Sequence, residues 1–194
     1  MSSSKVLCVY ATFTLVILKP ESFVMGKTTQ IVHLLYEHFF TCVYYEFVQL
    51  THGMMHGIWG HQWEKALPHR ALINCKAMEY SEVLVMVVKG GANASERLSS
   101  LKGSAMSERR GAHHLRTKLN AINIVLNYIH TSDCTEEMFR EMSVIFSPKS
   151  VKVIRSQMSS VEPVDLYALV EDISKVLIWR IYHVSQTAKL SMHS

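Results

Sequence analysis

The chain has 194 residues, 48% of them hydrophobic and 19% charged, which is enough apolar material for one folded domain with an extension and excludes a disordered chain. Its formal charge is +4 with histidine neutral and its pI is near 8.9. That mild excess favours anionic ligands, and with no dense lysine or arginine run it argues against nucleic acid as the partner.

Val6 to Leu18 is mostly apolar behind a Met-Ser-Ser-Ser-Lys start and imitates a secretion signal. It is too short to span a bilayer, and it runs into Lys19 and Pro20 where a small-residue cleavage site would stand. Thr12 to Leu18 therefore reads as a buried strand, and no membrane association is expected. Gly26 to His38 reads as a helix with Ile31, Leu34, Leu35 and His38 near one face. Thr41 to Leu50 is a second strand in which Val43, Tyr45 and Phe47 alternate against the rest. His52 to Tyr80 is helical in two pieces broken near Pro68. Glu82 to Lys89 is a continuous apolar strand, hence central, and Gly90 with Gly91 ends it.

Asn93 to Lys102 is a short helix, and Gly103 to His114 a long polar loop carrying Arg109, Arg110, His113 and His114. Tyr128 to His130 is a brief strand. Cys134 to Phe146 is a helix that Asp133 caps, with Glu136 completing a capping box. This order predicts an α+β, ferredoxin-like fold: one antiparallel sheet with helices packed on one face. From Lys149 to Ser160 the chain is polar and serine-rich and reads as a linker. An amphipathic helix follows Pro163, with Leu166, Leu169, Val170, Ile173, Val176, Leu177, Ile181 and Val184 at helical spacing. It forms a C-terminal extension that must bury its stripe on its own domain or on a second subunit.

Several patterns carry little. Gly26, Lys27, Thr28 and Thr29 imitate the end of a phosphate-binding P-loop, but the earlier glycine is replaced by Glu21. His52, His56 and His61 lack a completing carboxylate motif for a metal site, so no protein-held metal is expected. Cys8, Cys42, Cys75 and Cys134 form no CxxC pair and read as reduced thiols of a cytoplasmic protein. Met54, Met55 and the other methionines read as core filling.

The informative constellation is Asn127, His130, Ser132 and Asp133 in an Asn-x-x-His-x-Ser-Asp segment, followed by Glu141. It resembles the catalytic segment of the nucleoside diphosphate kinase family. Thr12 to Leu18 running into Lys19 and Pro20, and the strand at 82–89 with its glycines, resemble that family's first and central strands in the right order. The resemblance spans roughly residues 10 to 148. Residues 1–148 are thus expected to be a nucleoside diphosphate kinase-like domain and 149–194 a linker with the amphipathic helix.

The resemblance implies a phosphotransferase that moves a γ-phosphoryl from ATP or another nucleoside triphosphate through phospho-His130 to a nucleoside diphosphate or related acceptor. Mg²⁺ would arrive on the nucleotide, and the protein would be a homo-oligomer. Neutral imidazole is a good nucleophile, and Ser132 and Glu141 are suited to orient it. Lys19 and Arg116 are suited to neutralise phosphate oxygens, and Asn127 to bond sugar or phosphate.

The sequence departs from the family's pattern at several points. Glu21 and Ser22 follow the lysine-proline pair in place of aspartate-glycine. Trp59 or His61 stands near the family's active-site tyrosine. Ser99 stands where a phosphate-binding arginine is normal, with Arg97 as a shifted substitute. Ala105 replaces a threonine, and Trp63 is a candidate for stacking on the base. Altered nucleotide-binding positions keep two other readings open: a family member repurposed for another substrate, and a non-catalytic nucleotide-binding or assembly module.

Overall fold

In chain order the elements are β1 (Phe13–Leu18), α1 (Pro20–Val24), α2 (Thr28–Glu37), β2 (Thr41–Val48), α3 (His52–Trp63), α4 (Pro68–Glu79) and β3 (Val83–Lys89). They continue with α5 (Ala94–Lys102), a 3-10 turn (Ser107–Arg109), α6 (Leu115–Lys118), β4 (Ile129–Thr131), α7 (Thr135–Ile145) and α8 (Pro148–Ser160). The structure, a computed structural model, describes residues 11–63, 68–79, 81–160 and 162–177. The strands form one sheet in the order β2-β3-β1-β4, and every neighbouring pair is antiparallel. This is the ferredoxin-like arrangement expected from the order of elements.

All six residues of β1 are buried, and β3 is buried up to Lys89. Successive side chains of a strand face opposite sides, so both faces of these two interior strands are covered. On one face Phe13, Leu15, Ile17, Val83, Val85 and Val87 join Met55 and Ile58 of α3 and Met138 and Met142 of α7. On the other, the Ser95 hydroxyl of α5 donates to Thr14 Oγ1 at 3.0 Å. The expectation of helices on one face is therefore corrected: strands buried on both faces require a cover on each side.

Three local readings also change. The register of β2 against β3 shifts between Cys42 and Tyr44. Cys42 and Val43 are both buried, and Tyr44 and Val48, rather than Tyr45 and Phe47, pack on the α3–α7 core with Val43. One extra residue in a strand reverses which side chains face inward beyond it. The N-cap of α7 is Cys134, and Glu137 rather than Glu136 reaches back, accepting from the Asp133 amide at 3.1 Å. Asp133 is engaged elsewhere, as described below. Finally, 149–160 lies within helix α8, whose Ile154 and Met158 enter the core at a four-residue spacing.

Residues up to Pro163 form one unit and those from Val164 a second. In the second, 166–177 are helical with Leu169 and Ile173 buried. Ile181 and Val184 of the expected stripe lie outside the described residues, as does the stretch between α3 and α4 where the helical break was expected. No described helix is long and apolar enough to cross a membrane.

Candidate active site

The site is built where β1 and β4 end side by side. Ile17 pairs with His130, and the Lys19 amide donates to Tyr128 O at 2.9 Å, so the ladder fixes Lys19 beside the strand that carries His130. Tyr128 is buried with a left-handed backbone, φ 68°, strained for a bulky residue. A carboxylate holds that kink: Glu21 Oε1 accepts from the amides of Asn127 and Tyr128 at 3.1 and 3.0 Å.

Behind His130 stands a short chain of hydrogen bonds. His130 Nε2 lies 3.0 Å from Glu141 Oε1, and the Ser132 hydroxyl donates to Glu141 Oε2 at 2.6 Å. Both Glu141 and Ser132 are buried. In front, the indole Nε1–H of Trp59 donates to His130 Nδ1 at 3.2 Å, with the rings edge to face and centroids 5.2 Å apart. Indole is a donor only. Nδ1 therefore carries a lone pair, and Nε2 carries the proton and donates to Glu141. Gly57 lets α3 bring Trp59 this close, because a Cβ there would meet Val144 of α7 at 2.9 Å.

Arg116 of α6 crosses from the loop side. Its Nη1 donates to Gly103 O at 2.8 Å, and its Nη2 to Ile129 O at 2.7 Å and Asn127 Oδ1 at 3.2 Å. Lys19 Nζ donates to Val125 O at 3.1 Å. The loop before Arg116 is organised by Arg110. Its Nη1 donates to Ala121 O and its Nη2 to Ala105 O at 2.8 and 2.6 Å, and its Nε to Ser104 O at 2.8 Å. Arg110 thus serves the loop rather than a ligand.

Two adjoining cavities open on His130 and share Gln62, Ala105 and Arg116. One, of about 320 Å³, is walled by Lys19, Trp59, Trp63, Met78 and Asn127. The other, of about 500 Å³, is walled by Ser99, Lys102, Ser104, His114 and Asp133.

The electrostatics suit an anion. Burial pulls the His130 imidazole below its ordinary range against Glu141, which raises it, and Lys102 and Lys19 add to the fall. The ring is therefore neutral at pH 7. Burial would raise Glu141, but His130, Ser132 and Arg140 together hold it low, so it stays a carboxylate. Burial brings the Lys19 ammonium down to about 8, with Glu21 opposing and Arg116 and Lys102 assisting. Arg116 is lowered by burial and by Arg110 to about 10 and keeps its charge. Among the described residues no three His, Cys, Asp or Glu side chains are grouped to hold a metal ion. The cationic walls fit phosphate oxygens, with any Mg²⁺ carried on those oxygens.

Of the residues singled out from the sequence, Lys19, Trp59, Arg116, Asn127 and His130 surround one cavity, with Ser132 and Glu141 directly behind. Trp63 lines the same cavity, its ring centroid 6.4 Å from that of Trp59. Arg97 is not there. Its Nη1 donates to Gly90 O and its guanidinium lies 5.3 Å from the centre of the Phe40 ring, in a separate depression. The expectation that Arg97 replaces the arginine missing at Ser99 is thereby corrected, since α5 turns position 97 away from the cleft. Sequence reasoning missed Gln62 and Lys102. Lys102 had a signal: it falls four residues after Leu98 on the buried stripe of α5, where a lysine is out of place.

A histidine with a fixed tautomer thus stands among buried cations at adjacent strand ends of a ferredoxin-like sheet, an arrangement suited to an anionic ligand. The family model for nucleoside diphosphate kinase matches residues 12–151, and the chain belongs to that family. Solved structures agree on the fold. Nucleoside diphosphate kinase from Aquifex aeolicus matches with a TM-score of 0.61 at 22% identity, covering 71% of this chain and 96% of that one. The enzyme from Encephalitozoon cuniculi gives 0.63 at 17% identity, covering 80% and 95%. An NDP kinase from Pyrobaculum aerophilum gives 0.56 at 19% identity, covering 71% and 97%. No curated protein sequence is similar enough to count as a match.

Proposed function

We propose that the protein is a phosphotransferase that carries a phosphoryl group on His130 between a nucleoside triphosphate and a nucleoside diphosphate or related acceptor. The observation that carries this reading is the tautomer of His130. Its Nδ1 keeps a lone pair, which accepts from the Trp59 N–H, while Nε2–H is bound to Glu141, and the ring lines both cationic cavities. In the forward half-reaction Nδ1 attacks the γ-phosphorus. The P–N bond forms as the bond to the β,γ-bridging oxygen breaks, and the nucleoside diphosphate leaves with that oxygen. The ring gains positive charge, which the Glu141 carboxylate stabilises without taking the proton, and Ser132 holds that carboxylate in place. Lys19 and Arg116 neutralise the oxygens of the moving group. Trp59 yields the lone pair as phosphorus approaches, and its N–H is then placed to donate to a phosphoryl oxygen. The reverse sequence with a second diphosphate regenerates His130, a ping-pong scheme. Mg²⁺ belongs to the nucleotide substrate. A homo-oligomeric state and a cytoplasmic location, carried over from the family, belong to the same proposal.

Incubation with γ-labelled ATP and Mg²⁺ tests the reading. Wild type should acquire acid-labile, base-stable label, and His130→Ala should acquire none. A second reading, a nucleotide-binding module without turnover, is favoured by Trp59 capping Nδ1 and by Arg97 standing outside the cleft. Folded wild type that binds nucleotide but takes no label would establish that one instead.

A further inference from the structure

Three buried cations wall the cleft, and the chemistry above uses two of them. Lys19, Arg116 and Lys102 are each only 6–7% exposed. Lys19 and Arg116 are tied down by the carbonyls of Val125, Gly103 and Ile129. Lys102 is held less well. Its ammonium has three N–H donors, and its acceptors, Thr131 O and Asp133 Oδ1, both lie at 3.3 Å, beyond the usual range for such bonds. The Asp133 side chain is 56% exposed, and its Oδ1 also accepts from the Ser99 hydroxyl. A carboxylate facing water is a weak counter-ion for a buried ammonium.

Lys102 also lines the larger cavity with Ser99, Ser104, Arg116 and His130. The weakly bonded Lys102 ammonium and the Arg116 guanidinium thus stand on one wall of a cavity of about 500 Å³. A phosphate chain there would offer Lys102 closer acceptors and lie between the like charges.

We propose that Lys102 is a phosphate-binding residue of this cleft, held by Asp133 in the anion-free protein and passed to a phosphate oxygen when a di- or triphosphate chain enters beside His130. Asp133 keeps the Ser99 hydroxyl when Lys102 leaves, so the transfer strands no charge without a hydrogen bond. The inference rests on the phosphotransfer reading for its part in catalysis but not for binding, and the two are separable by experiment.

Magnesium-free pyrophosphate is titrated calorimetrically at low salt into wild type, Lys102→Met, Lys102→Arg and Asp133→Asn, each checked for a cooperative melt. Lys102→Met should bind at least about tenfold more weakly and Lys102→Arg within about threefold of wild type. Asp133→Asn should bind about threefold more tightly, because it releases the lysine. A merely structural ion pair would give the opposite result there, since breaking it loosens the site. Wild type that binds no pyrophosphate, or folded Lys102→Met that binds like wild type, overturns the proposal. If Lys102→Met does not fold, Asp133→Asn decides: tighter binding supports the proposal, and equal or weaker binding overturns it. Labelling by γ-labelled ATP is run on the same proteins. Lys102-dependent binding without label sinks the phosphotransfer reading alone. Label with Lys102-independent binding sinks this inference alone.

Discussion

The two sides of the cleft are built on different principles. On the strand side, Lys19 and Ser132 directly follow β1 and β4 and His130 lies in β4, so β-ladder pairing fixes these three, while hydrogen bonds tie Glu141 of α7 to His130 and Ser132. On the loop side, 103–127 has little regular structure, and Arg110 and Arg116 hold it by donating to four of its carbonyls and to Ile129 O of β4. Side chains thus do on one side what the backbone does on the other. Gly103 marks the join: with φ +80° and His114 within 2.5 Å of any Cβ, it must remain glycine.

The comparison is broken most severely on the strand side. Glu141→Gln keeps shape and removes the charge that supports Nε2–H, so phosphoenzyme formation should fall ~100-fold in rapid-quench assays. Its acid limb should also move to lower pH, because Glu141 raises the His130 pKa. A next effect is on pH dependence. With His130 lowered from 6.5 and Lys19 near 8, kcat/KM should hold from below pH 6.5 up to about 8. Lys19→Arg should carry the upper limb well past that point, since guanidinium keeps its proton; an unmoved limb would assign it elsewhere. The sign for stability follows from the same shift. Between about 8 and the ordinary lysine value of 10.5 the unfolded chain binds more protons at Lys19, so its contribution to stability rises with pH across that window.

On the loop side, Arg110→Ala should cost about 2 kcal/mol in urea unfolding by leaving three carbonyls without their donor. Amide exchange should quicken over 104–121, while label on His130 persists. The smallest effect belongs to a residue on neither side. Arg97→Ala should leave phosphoenzyme formation within about twofold of wild type, because its guanidinium is spent on Gly90 and Phe40. A large loss there would return Arg97 to the cleft.

This division also explains what the sequence revealed. The strand side was legible because its parts are local: four consecutive residues run from His130 to Asp133, and helical spacing brings Glu141 back over them. The apolar runs of β1 and β3 announced interior strands. The Val43 bulge was hidden, since residues 41 to 48 suit a strand in either register and pairing with β3 decides. Helix α8 was hidden by its serines and lysines, although Ile154 and Met158 were already at core spacing. Lys102 was read past because a charged residue near a helix end is ordinarily solvated. Arg97 and Lys102 differ by five residues on one helix, and only the orientation of α5 on the sheet tells which faces the cavity.

The bond from Trp59 to His130 has a consequence outside chemistry. An indole within hydrogen-bonding reach of an imidazole senses that ring's charge, and in the proposed mechanism Nδ1 is the atom that the phosphoryl group occupies. The emission of Trp59 would then be an optical gauge of His130, built into the chain and read without any added dye. In a Trp63→Phe, Trp179→Phe background that leaves Trp59 as the one indole, stopped-flow fluorescence should follow each half-reaction.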